Sequence, residues 1–311
     1  MDSWRSSYKS KNKKEKIKNA KIAWGFINHY AIFFFSKQVK KMTVKEMEQA
    51  LIKRYRTKLY SKFVKAICDY ELIQENDRIA VCMSGGKDSF VMAKLFQELK
   101  RHGKINFEVK YLVMNPGFNQ ENLETLKLNA EKMDITIKIK ESNIFHVSQL
   151  LGKDQPCYLC AKMRRGFLYD FAIEEGCNKI ALGHHFNDVI ETTLLNVLYA
   201  GTYKTMVPKL KSTNHPGMEL IRPMVYIEEK DIINYMDFCE IKAMGCGCKV
   251  ARGDLPSKRK EVKNLINEIK KTFKDVDKCI YASAENVNLN CVMKWYHKDK
   301  YHSFLDYYDE D

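Results

Sequence analysis

The 311-residue chain has no uninterrupted apolar run of the roughly 20 residues that a transmembrane helix needs. Its longest apolar stretch, residues 22–35, is interrupted by Gly25, Asn28 and His29. The N-terminus also lacks the pattern of a cleavable signal peptide with a small-residue cleavage site. We therefore expect a cytoplasmic protein with no membrane partner.

Cysteine is also scarce, because ten cysteines in a chain of this length are too few for a disulfide-stabilised scaffold. In a reducing cytosol, closely spaced cysteines are more often metal ligands or redox groups than structural disulfides. The hydrophobic content of 45% is ordinary for a globular protein with a packed core.

The net charge of +14 is unevenly distributed. Residues 1–41 hold eleven Lys and Arg and only two acidic residues, so they supply +9 and leave +5 for the other 270 residues. The basic balance is therefore weak evidence for a nucleic-acid partner of the folded part, where an ordinary solvated surface explains it equally well.

Composition divides the chain into five segments. Residues 1–41 form a basic extension that we expect to lie outside the fold; Met42 is then the native start, or the extension is an amphipathic arm that binds RNA or membrane. Residues 42–76 have the apolar spacing of a helical face, residues 77–225 contain the main domain, residues 226–297 are helical, and residues 298–311 form an acidic tail. The apolar positions of the helical face are Val44, Met47, Leu51, Tyr55, Leu59, Phe63 and Ile67.

From residue 78 onward, predicted strands and helices alternate. Such alternation is typical of a doubly wound parallel sheet flanked by helices, in which ligands bind at the carboxyl ends of the strands. We predict strands at 79–83, 107–114, 135–139 and 179–182, and helices at 88–99, 119–132, 163–175, 188–199, 228–240 and 258–273.

The segment after the first strand, Ser84-Gly85-Gly86-Lys87-Asp88-Ser89, predicts a phosphate-binding loop. Two glycines allow a sharp turn that presents backbone N–H groups to an anion, and the following helix adds its positive dipole end. Lys87 adds a positive charge, and Asp88 is suited to recruit Mg²⁺. The hexapeptide lacks the spacing of a Walker sequence and matches the pyrophosphate loop of enzymes that cleave ATP between its α and β phosphates. A plain Ser-Gly-Gly turn is the alternative, which the complete hexapeptide makes much weaker.

A second group of polar residues follows the predicted strand at 179–182. It contains Gly183, His184, His185 and Asp188, with Glu191 one turn later on the same helical face. Adjacent histidines alone are more often structural than functional. Their position at the carboxyl end of a strand favours a place in the same crevice as the phosphate loop.

Two cysteine pairs are candidate metal ligands. Cys157 and Cys160 are three residues apart, and Cys246 and Cys248 lie in a glycine-rich run about 90 residues later. Four ligating thiolates would form a closed structural zinc site, whereas three would leave one open position, as in a cluster that takes part in chemistry. We interpret the other six cysteines as packing residues.

These motifs, together with Arg222-Pro223, resemble those of the tRNA 2-thiocytidine synthetase family over about residues 45–275. The resemblance implies an adenine nucleotide alpha hydrolase-like fold and an enzyme that adenylates O2 of cytidine 32 in tRNA and replaces it with sulfur. It implies ATP, Mg²⁺ and a 4Fe-4S cluster held by Cys157, Cys160 and one of Cys246 and Cys248. The implied partners are tRNA and a sulfur donor such as sulfide or a cysteine desulfurase, and a homodimer is compatible with the family.

By the same resemblance, Lys87, Asp88 and Asp188 are the expected catalytic residues, and Arg164 and Arg165 are expected to bind tRNA. The residues expected to bind ATP are Ser84, Gly85, Gly86, Lys87, Asp88, Ser89, Met114, Gly183, His184 and Asp188. The chain departs from the family at two points: it has Asn187-Asp188 where Asp-Asp is usual, and Cys-Gly-Cys where Cys-x-x-Cys is usual. The first departure assigns the carboxylate role to Asp188 alone, and the second leaves the third cluster ligand open.

Two other functions remain compatible with the sequence. One is an ATP-dependent ligase or amidotransferase with a structural zinc, and the other is a non-catalytic RNA-binding module. The intact Lys87 and Asp88 argue against the second of these.

Overall fold

The computed structural model describes residues 42–144, 156–244, 258–298 and 300–308, with no side chains described before residue 162 in the second range. From Val44 onward these residues belong to one compact unit. The basic extension, Cys246 and Cys248 lie outside the described residues. No helix in the described ranges is long and apolar enough to span a membrane.

The N-terminal helical segment is made of short pieces. Helix α1 (Val44–Ile52) is followed by a π-helical turn (Arg56–Tyr60) and by α2 (Ser61–Asp69). Six of the seven predicted apolar positions are buried, and Val44 is half-buried. The apolar spacing therefore identified the buried face, although the helix is not continuous.

Strands and helices then alternate as the sequence predicts. The strands are β1 (Arg78–Met83), β2 (Glu108–Asn115), β3 (Ile137–Glu141), β4 (Lys179–Ala181), β5 (Lys209–Lys211) and β6 (Glu219–Ile221). The helices are α3 (Lys87–His102), α4 (Gln120–Lys132), α5 (Pro156–Glu174), α6 (Phe186–Ala200), α7 (Glu229–Phe238), α8 (Lys258–Thr272) and α9 (Val276–Ser283). The sequence did not predict β5 and β6, because three residues are too few to show a period.

The six strands form one sheet in the order β3-β2-β1-β4-β6-β5. All neighbours are parallel except β5, which runs antiparallel to β6. The predicted doubly wound α/β fold is therefore confirmed. Strand order reverses between β1 and β4, so the loops after these two strands flank the crevice in which ligands of such sheets bind.

Two layers of core hold the elements that carry the site. On one side of the sheet, residues of β1, β2, β4 and β6 pack with α5; they include Ala80, Leu112, Ile180, Leu220 and Ala172. Elsewhere, Val189 and Ile190 of α6 belong to a cluster with Val262 and Ile266 of α8. Because burial of each such side chain contributes about 1.5–3 kcal/mol, α8 is held firmly beside the first turns of α6.

The C-terminal part contains more regular structure than a tail. A hairpin of β7 (Lys294–His297) and β8 (Lys300–Ser303) is followed by a 3₁₀ helix (Phe304–Tyr307). The segment boundary drawn at residue 298 therefore falls within a hairpin.

The cysteines outside the candidate metal site divide into two groups. Cys82, Cys177 and Cys239 are buried, in agreement with the packing role, whereas the interpretation is wrong for the exposed Cys68, Cys279 and Cys291.

Candidate active site

The phosphate loop joins β1 directly to α3. Gly85 has a positive φ of 79°, which favours glycine, and a Cβ atom there would lie 2.7 Å from Cε of Met244. The loop is held by hydrogen bonds from the Ser89 hydroxyl to the Gly86 carbonyl (2.8 Å) and from the Met244 amide to the Gly85 carbonyl (3.1 Å). No side chain caps the N-terminus of α3. The first amide groups of this helix are thus suited to bind an anion.

Lys87 lies between two carboxylates at the start of α3. Its Nζ is 3.2 Å from Oδ1 of Asp88 and 3.1 Å from Oε1 of Glu229. The other carboxylate oxygen of Glu229, Oε2, is 2.6 Å from Nζ of Lys263. Burial alone would lower the pKa of Lys87, but Asp88 and Glu229 raise it above its ordinary value. Burial alone would raise the pKa of Glu229, but Lys263 and Lys87 outweigh burial and lower this pKa to about 2. Lys87 is therefore a fixed positive charge beside the loop.

His185 lies between the phosphate loop and the start of α6. Its Nε2 is 3.7 Å from Oδ1 of Asp88, and its Nδ1 is 3.5 Å from Oδ2 of Asp188. Asp188 also accepts a hydrogen bond from the backbone amide of His185 (3.0 Å). Close packing assists this arrangement, since a Cβ on Gly183 would lie 3.3 Å from the carbonyl carbon of Asp88. The structure thus brings the two predicted groups of polar residues together.

The carboxylate of Asp88 has acceptor capacity that suits a hard cation. Oδ1 of Asp88 is buried and makes no hydrogen bond within the described chain. Oxygen ligands are what Mg²⁺ prefers, and it usually takes one or two carboxylates together with the phosphates of a substrate. Among the described residues no group of three or more His, Cys, Asp or Glu is arranged as a metal site. The Asp88 carboxylate, with Asp188 on the other side of His185, is therefore suited to Mg²⁺ that is bound together with the phosphates of a nucleotide.

Arg259 of α8 contacts three side chains in the first two turns of α6. Its Nη1 lies 2.7 Å from Oδ1 of Asp188 and 3.7 Å from Oε2 of Glu191, and its Nη2 donates to the Thr192 hydroxyl (3.2 Å). Burial raises the pKa of Glu191, and Asp188 adds to this effect, while Arg259 opposes it. Asp188 and Glu191 thus share one helical face, as predicted, and Arg259 bridges them.

His184 is the remaining histidine of the motif. Burial lowers its pKa to about 4, with Arg222 and Arg259 acting in the same direction against Asp188. The imidazole is therefore neutral near neutral pH and can contact a nucleotide without adding charge. Its neighbour Arg222 follows β6, beside the end of β4.

Asn187 and Asn115 have structural roles. Oδ1 of Asn187 accepts a hydrogen bond from the backbone amide of Glu229 (2.9 Å) and so caps α7 from another element. Oδ1 of Asn115 accepts from the backbone amides of Gly117 and Phe118, which shapes the loop after β2. Met114, predicted to bind ATP, is 6% exposed at the end of β2.

Helix α5 carries the first cysteine pair and the predicted tRNA-binding arginines. The backbone of Cys157 and Cys160 lies in its first turns, and their side chains are outside the described residues. Arg164 is half-buried and Arg165 is exposed. One turn of helix separates Cys160 from Arg164, so the α5 backbone links the predicted cluster ligands to the predicted RNA contacts.

The sequence interpretation missed three charged residues of this site: Glu229, Arg259 and Lys263. Arg259 and Lys263 are four residues apart on α8, and Glu229 is the first residue of α7. Both helices were predicted, but no motif distinguishes these residues from solvated surface charges. Only the packing of α7 and α8 against the sheet domain shows their role.

Comparisons with known proteins agree with this geometry. A family model described as a PP-loop domain matches residues 51–244. The chain is 35% identical over 226 residues to the tRNA-cytidine(32) 2-sulfurtransferase of Syntrophotalea carbinolica, which covers 72% of this chain and 86% of that protein. It is 37% identical over 227 residues to the enzyme of the same name from Aliivibrio fischeri strain MJ11, which covers 71% of this chain and 72% of that protein.

A solved structure shares the fold. The U34-tRNA thiolase NcsA from Methanococcus maripaludis, solved with its [4Fe-4S] cluster, superposes with a TM-score of 0.60 at 24% identity and covers 77% of this chain and 82% of that chain. The PP-loop family model spans all six strands of the sheet, and the sequence relatives are matched over most of their own length. The predicted resemblance is therefore confirmed: the chain belongs to the tRNA 2-thiocytidine synthetase family of the PP-loop superfamily, whose curated relatives here are named tRNA-cytidine(32) 2-sulfurtransferases.

Proposed function

We propose that this protein is an ATP-dependent tRNA thiolation enzyme that adenylates O2 of a cytidine, most specifically cytidine 32, and replaces that oxygen with sulfur. Family membership supports the tRNA sulfurtransferase activity. The observation that carries the ATP-dependent part is the arrangement of Lys87, Asp88 and Asp188 around His185 at the carboxyl edge of the sheet.

In the first half-reaction, O2 of the cytidine attacks the α phosphorus of ATP, the bond between the α and β phosphates breaks, and pyrophosphate leaves. The N-terminus of α3 and Lys87 stabilise the charge that develops on pyrophosphate. Asp88 and Asp188 would hold the Mg²⁺ that neutralises the phosphates. Neutral His184 lies beside Asp188 and is placed to contact the nucleotide.

In the second half-reaction, a sulfur nucleophile attacks C2 of the adenylated base, the C2–O2 bond breaks, and AMP leaves with the oxygen. Adenylation is needed because the base oxygen is a poor leaving group without AMP. The sulfur comes from a donor such as sulfide or a cysteine desulfurase.

The cysteines are proposed as ligands of a 4Fe-4S cluster. Thiolates are the donors that iron–sulfur clusters use, so the chemistry of Cys157, Cys160 and the pair at 246 and 248 fits. A cluster bound by three of these would supply a site that can carry sulfur.

Single substitutions at the phosphate loop test the proposal. Lys87→Ala and Asp88→Ala should abolish pyrophosphate release from ATP and tRNA while leaving the protein folded, because both side chains are partly exposed at the start of α3. Lys87→Ala also removes one of the two ion pairs of Glu229, so its melting temperature should fall by a few degrees at most. Lys100→Ala, at the far end of the same helix, is the matched control and should retain turnover. Retained turnover in both loop variants would disprove the assignment.

Two further measurements test the finer claims. Mass spectrometry of tRNA nucleosides from a deletion strain should show the loss of one thiolated cytidine, restored by the wild-type gene and not by the Lys87→Ala variant. Anaerobically purified protein should be brown. A colourless protein that binds zinc would favour the ligase or amidotransferase alternative.

A further inference from the structure

Arg222 is a buried arginine without a carboxylate partner in the part of the chain that the structure describes. Its residue exposure is 6%, and no acidic side chain of the described ranges forms an ion pair with it. Arginine is almost never fully buried unless it is paired, because removal of its charge from water is costly. The proposed mechanism does not use Arg222, although the motif Arg222-Pro223 contributes to the family resemblance.

Backbone contacts fix the position of Arg222 without neutralising it. Its amide donates to the Pro208 carbonyl (2.8 Å), and Nη1 donates to the Val207 carbonyl. Its Nε is buried and has no hydrogen-bond partner within the described residues. Among the described residues, one donor of this buried guanidinium therefore has no acceptor for its hydrogen.

The surroundings of Arg222 are also positive. Burial lowers its pKa to about 10, and the nearby charge of Arg165 acts in the same direction. Arg222 likewise helps to lower the pKa of His184. Arg222 thus lies near a second guanidinium group and near a neutral imidazole, and the repulsion between the two guanidinium groups is unfavourable until an anion joins them.

The location is next to the nucleotide crevice. Arg222 directly follows β6, which pairs with β4, and the amide of Leu182 at the end of β4 donates to the Ile221 carbonyl (3.0 Å). His184 comes two residues after Leu182. Arg165 lies on α5, the helix that begins with the first cysteine pair. Arg222 therefore lies at the carboxyl edge of the sheet, beside the segment that carries His184, and Arg165 lies on the helix of the predicted cluster ligands.

We propose that Arg222 and Arg165 form a second phosphate subsite, separate from the loop at 84–89, that binds one phosphate group of a nucleotide or of RNA. A phosphate accepts hydrogen bonds from planar guanidinium groups in a fixed geometry and supplies the missing negative charge. The proposal deepens the proposed function: the phosphate belongs either to the AMP moiety or to the backbone of the bound tRNA.

Binding measurements on two arginine variants test this site. Arg222→Met removes the charge and keeps much of the packing volume, and Arg165→Met changes an exposed residue that the fold does not need. Arg101→Met is the control, since Arg101 is paired with Glu48 and Glu98 away from the site. The probes are AMP with Mg²⁺ and an unmodified tRNA transcript, each at fixed ionic strength.

We expect both test variants to lose about 10- to 100-fold in affinity for one of the probes, which is the range for a hydrogen bond to a charged group. Loss for AMP alone identifies the nucleotide phosphate. Loss for the transcript alone, with a salt dependence reduced by about one phosphate contact, identifies RNA. Ligand-free Arg222→Met should unfold at the wild-type temperature or above, because the unpaired buried charge is gone.

The proposal is overturned if Arg165→Met and Arg222→Met bind both probes as the control does. It is equally overturned if Arg222→Met unfolds at a clearly lower temperature while its folded fraction binds both probes normally, since Arg222 would then be structural. If Arg222→Met does not fold, Arg222→Lys and Arg165→Met decide between these outcomes. Because the readout is binding, it remains valid even if the wild-type protein proves not to thiolate tRNA.

Discussion

The ion pairs of Glu229 predict a contribution to stability that depends on pH. The carboxylate lies between Lys87 and Lys263, at 3.1 and 2.6 Å, and its side chain is 21% exposed. Its pKa falls from 4.5 to about 2 in the folded protein; burial opposes this change, and the two lysines outweigh burial. A carboxylate with a lowered folded pKa stabilises the fold at pH values above its unfolded pKa, and this stabilisation is lost as the pH falls towards the folded pKa.

The size of the effect follows from that difference. Each pKa unit corresponds to about 1.4 kcal/mol, so the upper limit for Glu229 is about 3 kcal/mol. Solvent screening of a partly exposed pair reduces this value, and we expect about 1–2 kcal/mol. Glu229→Gln should therefore lower the free energy of unfolding by this amount near neutral pH, or the melting temperature by about 2–8 °C.

Denaturant unfolding at several pH values provides the assay. The difference between wild type and Glu229→Gln should be constant above about pH 5 and should shrink as the pH falls towards about 2. Glu268→Gln is the control, because Glu268 pairs with Lys271 on the exposed face of α8 and should contribute little. Equal stability of wild type and Glu229→Gln near neutral pH, or a difference that grows in acid, would refute the reasoning.

Three further predictions concern the loop, the extension and the cysteines. Gly85→Ala should lower the free energy of unfolding by about 1–2 kcal/mol, because residue 85 has a positive φ. It should also reduce pyrophosphate release, because the new methyl group would displace Met244 beside the phosphate loop. Wild-type turnover together with wild-type stability would contradict this prediction. A protein that starts at Met42 should restore tRNA thiolation in a deletion strain, whereas failure despite normal expression would make residues 1–41 a functional arm. Of the four candidate cluster cysteines, both of the first pair and one of the second should be essential for bound iron and thiolation, and the fourth should tolerate serine. Complete loss of metal in all four variants would favour a closed zinc site.

The strand and helix pattern could be predicted from sequence because it depends on local periods. The burial of β1 and the helical spacing of α3 and α6 are visible in residues that are neighbours along the chain. Short elements were missed, namely the strands β5, β6, β7 and β8 and the eight-residue helix α9, and the break between α1 and α2 was not predicted.

The sequence by itself determined the phosphate loop, since the conformation of Gly85 and the start of α3 require only residues 84–89 in their order after a strand. Tertiary structure alone decided which charges meet there. Arg259 reaches Asp188 across 71 residues of sequence, and Glu229 reaches Lys87 only because α7 packs near α3. The same holds for Arg222, which is buried beside β4 and has no ion-pair partner in the part of the chain that the structure describes. Burial and long-range pairing depend on how the elements pack, and no local pattern encodes them.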